Sequence, residues 1–428
     1  MIPLIVADGT AEKELLIRFK ARNEETDRKV TAVVDEIISA VRQRGDEAVR
    51  EYTVKFDGQA PEKTELAPDE IESSLKICDP EFISALKNAA ANIKSFHERQ
   101  KQQSWFDAGP NGTIMGQRVR GLERVGIYVP GGTAAYPSSV LMSAIPAKIA
   151  GTEEIIMVTP PSKEGKANPN ILAAAAISGV DRVFLCGGAQ AVAALAYGTE
   201  SIPKVDKIVG PGNIYVATAK RMLFGTVDID MIAGPSEILI IADESANAKF
   251  VAADLMSQAE HDTLAAAILV TTSKEIAEKT REELERQVVT LSRKDIIKES
   301  LKNNGAIIVC SSLDEAVRIA DEFAPEHLEL CVKSPFEYLG RVKNAASIFL
   351  GHYTPESAGD YYAGPNHVLP TGGTARFFSP LSVESFTKKS GFICYSAEDF
   401  NRAAGDIITL AQTEGLTAHA NSVKVRCP

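Results

Sequence analysis

The chain has 428 residues, 45% hydrophobic and 24% charged, which excludes disordered and fibrous classes and leaves room for two or three domains with a sizeable core. A formal net charge of -11 disfavours nucleic-acid and anionic-membrane partners, both of which select basic faces. The six cysteines are scattered without a C-x-x-C pair, so neither a disulfide framework nor a zinc ribbon is indicated.

The opening MIPLIVADGTAEKELL lacks the basic start and long apolar stretch of a secretory signal. No segment reaches the roughly 18 consecutive apolar residues of a membrane span, and cytoplasmic residence is expected. Residues 24–56 and 69–104 interleave charged and apolar residues at helical spacing, as in Val30, Val33, Val34, Ile37, Ile38 and Val41, and predict two long amphipathic helices. From 125 the character changes to short β-branched runs, VGIYV, EIIMV, RVFLC and DKIVG, separated by Gly/Pro turns and Ala-rich stretches such as NILAAAAISG. That alternation predicts βαβ units and a parallel sheet. A second series, EILIIAD from 237, AAAILVT from 265, GAIIVCS from 305 and LELCV from 328, alternates with helices predicted at 246–260, 274–290 and 313–323. Two α/β domains are therefore expected, with AGPSE at 233–237 as the seam. Short apolar strands resemble one another by chance, so the sequence leaves open whether the two series are a duplicated unit. Residues 351–382 lose all periodicity; a loop of that length holding three tyrosines, Asp360 and His367 reads as functional. A last helix, 397–414, is stopped by Gly415 and followed by the tail LTAHANSV.

Chemistry-bearing residues cluster in the second half. Near the end of the 247–261 helix Gln258 and His261 fall three residues apart on one flank of the apolar stripe centred on Leu255. Such a pair can hold one metal ion or one substrate group, or can simply hydrogen-bond a neighbouring loop. In APEHLE, Pro325 is placed like the first residue of a helix or turn, exposing Glu326 and His327 near the positive dipole end, where the imidazole pKa would fall. A neutral imidazole there could act as a general base; the alternative is a capping carboxylate beside an exposed histidine. His367 lies in the long loop and His419 in the tail, whereas His97 and His352 look incidental. The H-E-x-x-H, Walker and G-x-S-x-G patterns are absent. GPGNIY at 210–215 has only the first two glycines of a dinucleotide fingerprint and, like VPGGTAAYPSS at 129–139, is compatible with a phosphate at the helix that Asn213 opens. The residues alone thus reach an α/β protein with an N/O-liganded metal and acid/base groups.

The chain resembles the histidinol dehydrogenase family through RVGIYVPGGTAAYPSSVLMSAIPAKIAG, VGPGNIYVATAKR, DMIAGPSEILIIAD, DLMSQAEHD, APEHLEL and AGPNHVLPTGGTARF. The resemblance implies NAD-dependent, zinc-dependent four-electron oxidation of L-histidinol to L-histidine through a bound aldehyde, as the last step of histidine biosynthesis. It also implies two incomplete Rossmann-like, aldehyde-dehydrogenase-like domains with parallel sheets, an N-terminal helix and a C-terminal helical tail. The corresponding division is 1–23 as N-terminal segment, 24–124 with 237–380 as the larger domain, 125–236 as the second, and 381–428 as a dimerisation tail.

Carried over position by position, one zinc per subunit falls on Gln258, His261, Asp360 and His419, and the acid/base pair on Glu326 and His327. Substrate contacts fall on Ser236, His367 and Glu414 beside His327 and the zinc ligands, and NAD contacts on Tyr128, Gln190 and Asn213. His419 and Glu414 are implied to reach the partner's site in a homodimer. On this reading His327 takes the hydroxyl proton in the first oxidation, Glu326 activates water against the aldehyde, and His327 takes a proton again. Two other readings stand beside it. Cys186 could be the nucleophile of a thiohemiacetal route, or the protein could be a catalytically silent zinc-dependent dimer, against which the presence of both Glu326 and His327 argues.

Overall fold

The β-branched runs separate into two parallel sheets in the computed structural model, which describes residues 2–21, 28–131, 136–232 and 234–427. In the first sheet Arg124–Tyr128, Glu154–Thr159, Arg182–Leu185, Lys207–Val209 and Asp228–Ile229 follow one another in the chain and lie side by side in the order 3-2-1-4-5. In the second sheet Glu237–Ala242, Ala266–Thr271, Gly305–Val309, His327–Cys331 and Ser347–Leu350 repeat that same 3-2-1-4-5 order. Leu4–Val6 adds a sixth strand beside Gly305–Val309. Every pairing in both sheets is parallel. The six-stranded dinucleotide-binding order is 3-2-1-4-5-6, so each sheet is that order without its last strand, the incomplete Rossmann-like pair that the resemblance implied.

The helices over 28–98 differ from the expectation in number and in place. Two long helices become four, Arg28–Arg44, Asp46–Asp57, Pro68–Ile77 and Pro80–Glu98. Gly45 makes the first break with φ 52, and a Cβ there would also meet the Glu200 carboxylate. The second break is built by Asp79, whose side chain accepts from the Glu81 N–H, followed by Pro80 in the first helical turn. The expected division put 24–124 with 237–380. Instead Val34, Ile37, Val41 and Tyr52 share a core with Ile156, Phe184 and Leu195, and Ile71, Leu86 and Ile93 share one with Val125, Ile127 and Met157. These helices therefore cover both faces of the five-stranded sheet. An amphipathic stripe specifies that a face is buried, not against which partner, which is why this assignment failed.

The two ends of the chain also differ. The N-terminal segment contributes the Leu4–Val6 strand before its helix, Ala11–Ala21. The tail begins as a strand, Thr387–Cys394, paired antiparallel along Ile114–Gly121, with Trp105–Ala108 on the far side as a third strand. Only then come the helices Ala397–Thr413 and Thr417–Lys424. Among the described residues no helix is long and apolar enough to cross a membrane.

Candidate active site

In the six-stranded sheet His327–Cys331 lies beside Glu237–Ala242, with His327 level with Ile238. Both Glu326 and His327 meet the Glu237 peptide. The Glu326 carboxylate accepts the Glu237 N–H at 2.8 Å, and His327 Nδ1 lies 3.0 Å from the Glu237 carbonyl oxygen. A carbonyl can only accept, so Nδ1 carries the proton toward it. Nε2 is left buried without a hydrogen-bond partner, facing the Asp360 carboxylate at 3.5 Å.

This corrects the expected helix start. Ala324, with φ 54, terminates the helix Leu313–Phe323 in the left-handed conformation, so Pro325 follows a helix rather than opening one. Glu326 and His327 are buried at the head of a strand rather than exposed at the start of a helix. The electrostatics reverse accordingly. Burial works to lower the His327 pKa, but the Glu326, Glu356 and Asp360 carboxylates outweigh it and leave it well above the usual histidine value. Burial pushes the Glu326 carboxyl up to about 8, against the lowering effects of His327 and the Glu237 N–H.

Opposite this pair stands a group of oxygen and nitrogen donors. Gln258 is buried at the end of the helix Ala248–Ala259, and His261 lies just past it, its N–H bonded to the Gln258 carbonyl at 3.2 Å. The loop over 351–382 is not wholly irregular. Its short helix Glu356–Tyr361 sets Glu356 and Asp360 one turn apart. One donor atom each from His261, Glu356 and Asp360 lie within 4.8 Å of one another. With its amide turned to satisfy its neighbours, Gln258 donates to both Glu356 oxygens at 2.5 and 2.7 Å and accepts from the Glu237 N–H at 3.1 Å. In the opposite orientation its oxygen faces those carboxylate oxygens, an arrangement that requires a proton or a cation between them.

A cavity of about 100 Å³ opens between these elements, lined among others by His327, Phe349, Asp360, Asn366 and His367. His367 Nδ1 donates to the Asp360 carbonyl at 2.8 Å, and its Nε2 lies 3.3 Å from Ser139 Oγ. Burial lowers the His367 pKa, so the neutral ring accepts from the serine hydroxyl. Ser139 sits in the first turn of the helix Pro137–Ala150, which follows the first strand of the other sheet, so this contact joins the two α/β layers. The loop is fastened by Asn366, whose amide donates to the Met142 carbonyl at 2.6 Å and lies 3.3 Å from the ring of His97. His97, which the sequence left without a role, is buried behind the loop with its pKa lowered to about 4 by that burial.

A second locus lies on the five-stranded sheet at the carboxyl ends of Arg124–Tyr128 and Lys207–Val209, where the strand order reverses and α/β sheets bind dinucleotides. Asn213 caps the helix Ile214–Leu223, its side-chain oxygen accepting from the N–H groups of Tyr215 and Val216 at 3.0 and 3.2 Å. Gly210 has φ 111, and a Cβ there would lie 2.1 Å from the Tyr128 carbonyl oxygen, so only glycine lets this turn rest on the strand. The turn is braced by a buried pair, Lys220 with Asp230; Lys220 donates to the Gly210 carbonyl and Asp230 accepts the Gly210 N–H. Gln190 is buried on the helix Gly188–Tyr197 and neither amide atom has a hydrogen-bond partner, a deficit that a ligand could fill. The Tyr128 hydroxyl accepts the Gly188 N–H at 3.0 Å, and burial pushes its pKa up to about 12. Of VPGGTAAYPSS, residues 132–135 lie outside the described residues.

The family model of histidinol dehydrogenase matches residues 20–427. The chain belongs to this family. It is 56% identical over 423 residues to the histidinol dehydrogenase of Clostridium acetobutylicum, covering 99% of this chain and 98% of that protein. With the Geobacter sulfurreducens histidinol dehydrogenase it is 56% identical over 95% of each chain. The crystal structure of histidinol dehydrogenase from Elizabethkingia anophelis matches with a TM-score of 0.94 at 38% identity, covering 99% of this chain and 98% of that one. Membership makes the chain an oxidoreductase.

Of the residues singled out in the sequence, Gln258, His261, Glu326, His327, Asp360 and His367 converge on one centre, and half-buried Ser236 directly precedes the Glu237 peptide that holds Glu326 and His327. Glu414 and His419 do not join them within the chain. Glu414 caps the end of Ala397–Thr413, His419 lies on Thr417–Lys424, and both are exposed. Glu356 and Ser139 were missed. Their spacing to Asp360 and His367 carries meaning only once the loop is known to hold a helix and the two layers are known to touch. Cys186 is fully buried in the core of the five-stranded sheet, and burial pushes its thiol pKa far up, which removes the thiolate that a thiohemiacetal route needs.

Proposed function

We propose that this chain oxidises L-histidinol to L-histidine through a bound histidinal, reducing two NAD per turnover, as a cytoplasmic homodimer with one zinc per subunit. The observation that carries this reading is the Glu326–His327 pair locked on one peptide, with Nε2 of His327 turned toward the Asp360 carboxylate and the cavity. The donor set is the oxygen and nitrogen chemistry zinc takes. Gln258, His261 and Asp360 would hold it, Glu356 stands against it, and an exposed His419 from a second copy would complete the set. Tyr128, Gln190 and Asn213 would meet NAD, with the orphaned Gln190 amide as the supporting feature. When bound, zinc supplies a Lewis-acidic anchor for the substrate's imidazole and amine, and NAD supplies the hydride acceptor.

The chain's own residues divide the proton work. His327 Nε2 takes the hydroxyl proton as the alcohol is oxidised. Glu326 takes a proton from water as it adds to the aldehyde, and His327 then takes the proton of the hydrate in the second oxidation. His367, Ser236 and Glu414 would orient the substrate, with Glu414, like His419, coming from the second copy. Exposed Trp105, Phe106 and Ile393 on the three-stranded sheet and Leu410 and Leu416 on the tail offer apolar surface for that copy.

The test is the NADH formed per L-histidinol with substrate limiting and NAD in excess, before and after a chelator strips the metal. Two NADH per histidinol, lost on stripping and restored by zinc, is the expected result. One NADH would instead mean an alcohol dehydrogenase that releases its aldehyde, and none from folded, zinc-loaded protein would remove the assignment.

A further inference from the structure

Glu329 is the third residue of the strand that His327 opens, so both side chains project from the same face of the sheet. It is 1% exposed, an expensive place for a carboxylate unless its oxygens are matched. One oxygen accepts the N–H of Glu356 at 2.8 Å. That N–H opens the six-residue helix Glu356–Tyr361, and no side chain from the preceding Pro355 satisfies it. The Glu329 carboxyl also faces that of Asp254, one turn before Gln258 on the helix Ala248–Ala259, a pairing that needs a proton on one of the two. A single side chain thus touches the elements that bear Gln258, Glu356 and Asp360, and springs from the strand that bears His327.

We infer that Glu329 is a positioning residue, which fixes the donor-bearing helix Glu356–Tyr361 at a set distance from His327 by capping it from within the sheet. The inference rests on the metal-donor reading above. What the contact requires is reach and an acceptor oxygen rather than negative charge. The substitution Glu329→Gln keeps both, since a glutamine amide oxygen can accept from Glu356 and its NH2 can donate to Asp254. The substitution Glu329→Asp keeps the charge but leaves the carboxylate one methylene short.

The experiment compares zinc affinity of the purified dimer, by competition with a chelator, in wild type, Glu329→Gln, Glu329→Asp and His261→Ala, with thermal unfolding recorded for each. Loss of a residue that orients metal donors weakens binding by about 10- to 100-fold, and that loss is expected in Glu329→Asp, with Glu329→Gln close to wild type. An Asp variant with wild-type affinity overturns the inference, as does a Gln variant weakened as much as the Asp variant. A purely structural residue would lower the unfolding temperature without separating the two affinities. If His261→Ala binds zinc as tightly as wild type, it is the donor reading itself that fails, a result distinct from either of these.

Discussion

At the scale of single residues, the Glu237 peptide does much of the arranging. By accepting from His327 Nδ1 and donating to Glu326, it fixes one tautomer and leaves Nε2 as the only imidazole nitrogen able to take a substrate proton. Replacing His327 with Asn should retain the fold and zinc while lowering kcat by about 10²- to 10⁴-fold, the usual worth of a general base. Unchanged kcat would remove His327 from the proposed role. The pKa shifts give a direction as well. Both groups must be free of their protons to act, and Glu326 is raised to about 8 by burial. Therefore kcat/KM should climb as pH rises from about 6 to about 9 rather than level off near the ordinary histidine value. A profile flat above pH 7 would contradict the geometry. The sequence pointed to these two residues as chemistry but misjudged their setting, because the left-handed turn at Ala324 that places Pro325 after a helix leaves no signature in residue type.

At the scale of elements, legibility followed burial. The inner strands of the two parallel sheets are covered on both faces and read as unbroken apolar runs, so Glu237–Ala242 and Ala266–Thr271 could be found directly. Thr387–Cys394 is almost wholly exposed and carries Lys388, Lys389, Ser390 and Gly391, a pattern that looks like loop until its partner strand is known. The helix Glu356–Tyr361 was hidden for a related reason: it is short, and it is held by Glu329 from across the sheet rather than by a cap in its own sequence. The helix Ile214–Leu223 is the opposite case, since Asn213 caps it locally and marks its start. Asn213→Ala should lower unfolding stability by about 1 kcal/mol, read from the denaturant midpoint, and, on the proposed placement of NAD at this capped end, should also raise the KM for NAD. Lost stability with an unchanged KM would leave Asn213 as a cap alone and place the dinucleotide elsewhere.

At the scale of the whole molecule, the two sheets repeat one strand order but use opposite ends of it. The five-stranded sheet offers the carboxyl ends of its first and fourth strands, where Tyr128 and Asn213 stand, whereas the six-stranded sheet offers the amino ends of the equivalent pair, where Glu237 and His327 stand. The Ser139–His367 contact joins the helix that follows the first strand of the five-stranded sheet to the loop lining the His327 cavity. Neither the repetition nor the opposition can be read from strands that look alike one at a time. Glu414 and His419 are left outside the His327 site in their own chain, and the shared-site dimer makes a prediction that a self-contained protomer does not. His261→Ala and His419→Ala should each be inactive as purified dimers, since every site in each lacks one donor. When the two are mixed, unfolded and refolded together, half of the dimers are mixed, and in each of these one site draws His261 and His419 from the two unmutated positions. Activity should recover to about a quarter of the wild-type value, the fraction that a two-fold dimer with random pairing allows. A refolded mixture as inactive as its components would mean that each chain completes its own site and that the exposed tail serves another purpose.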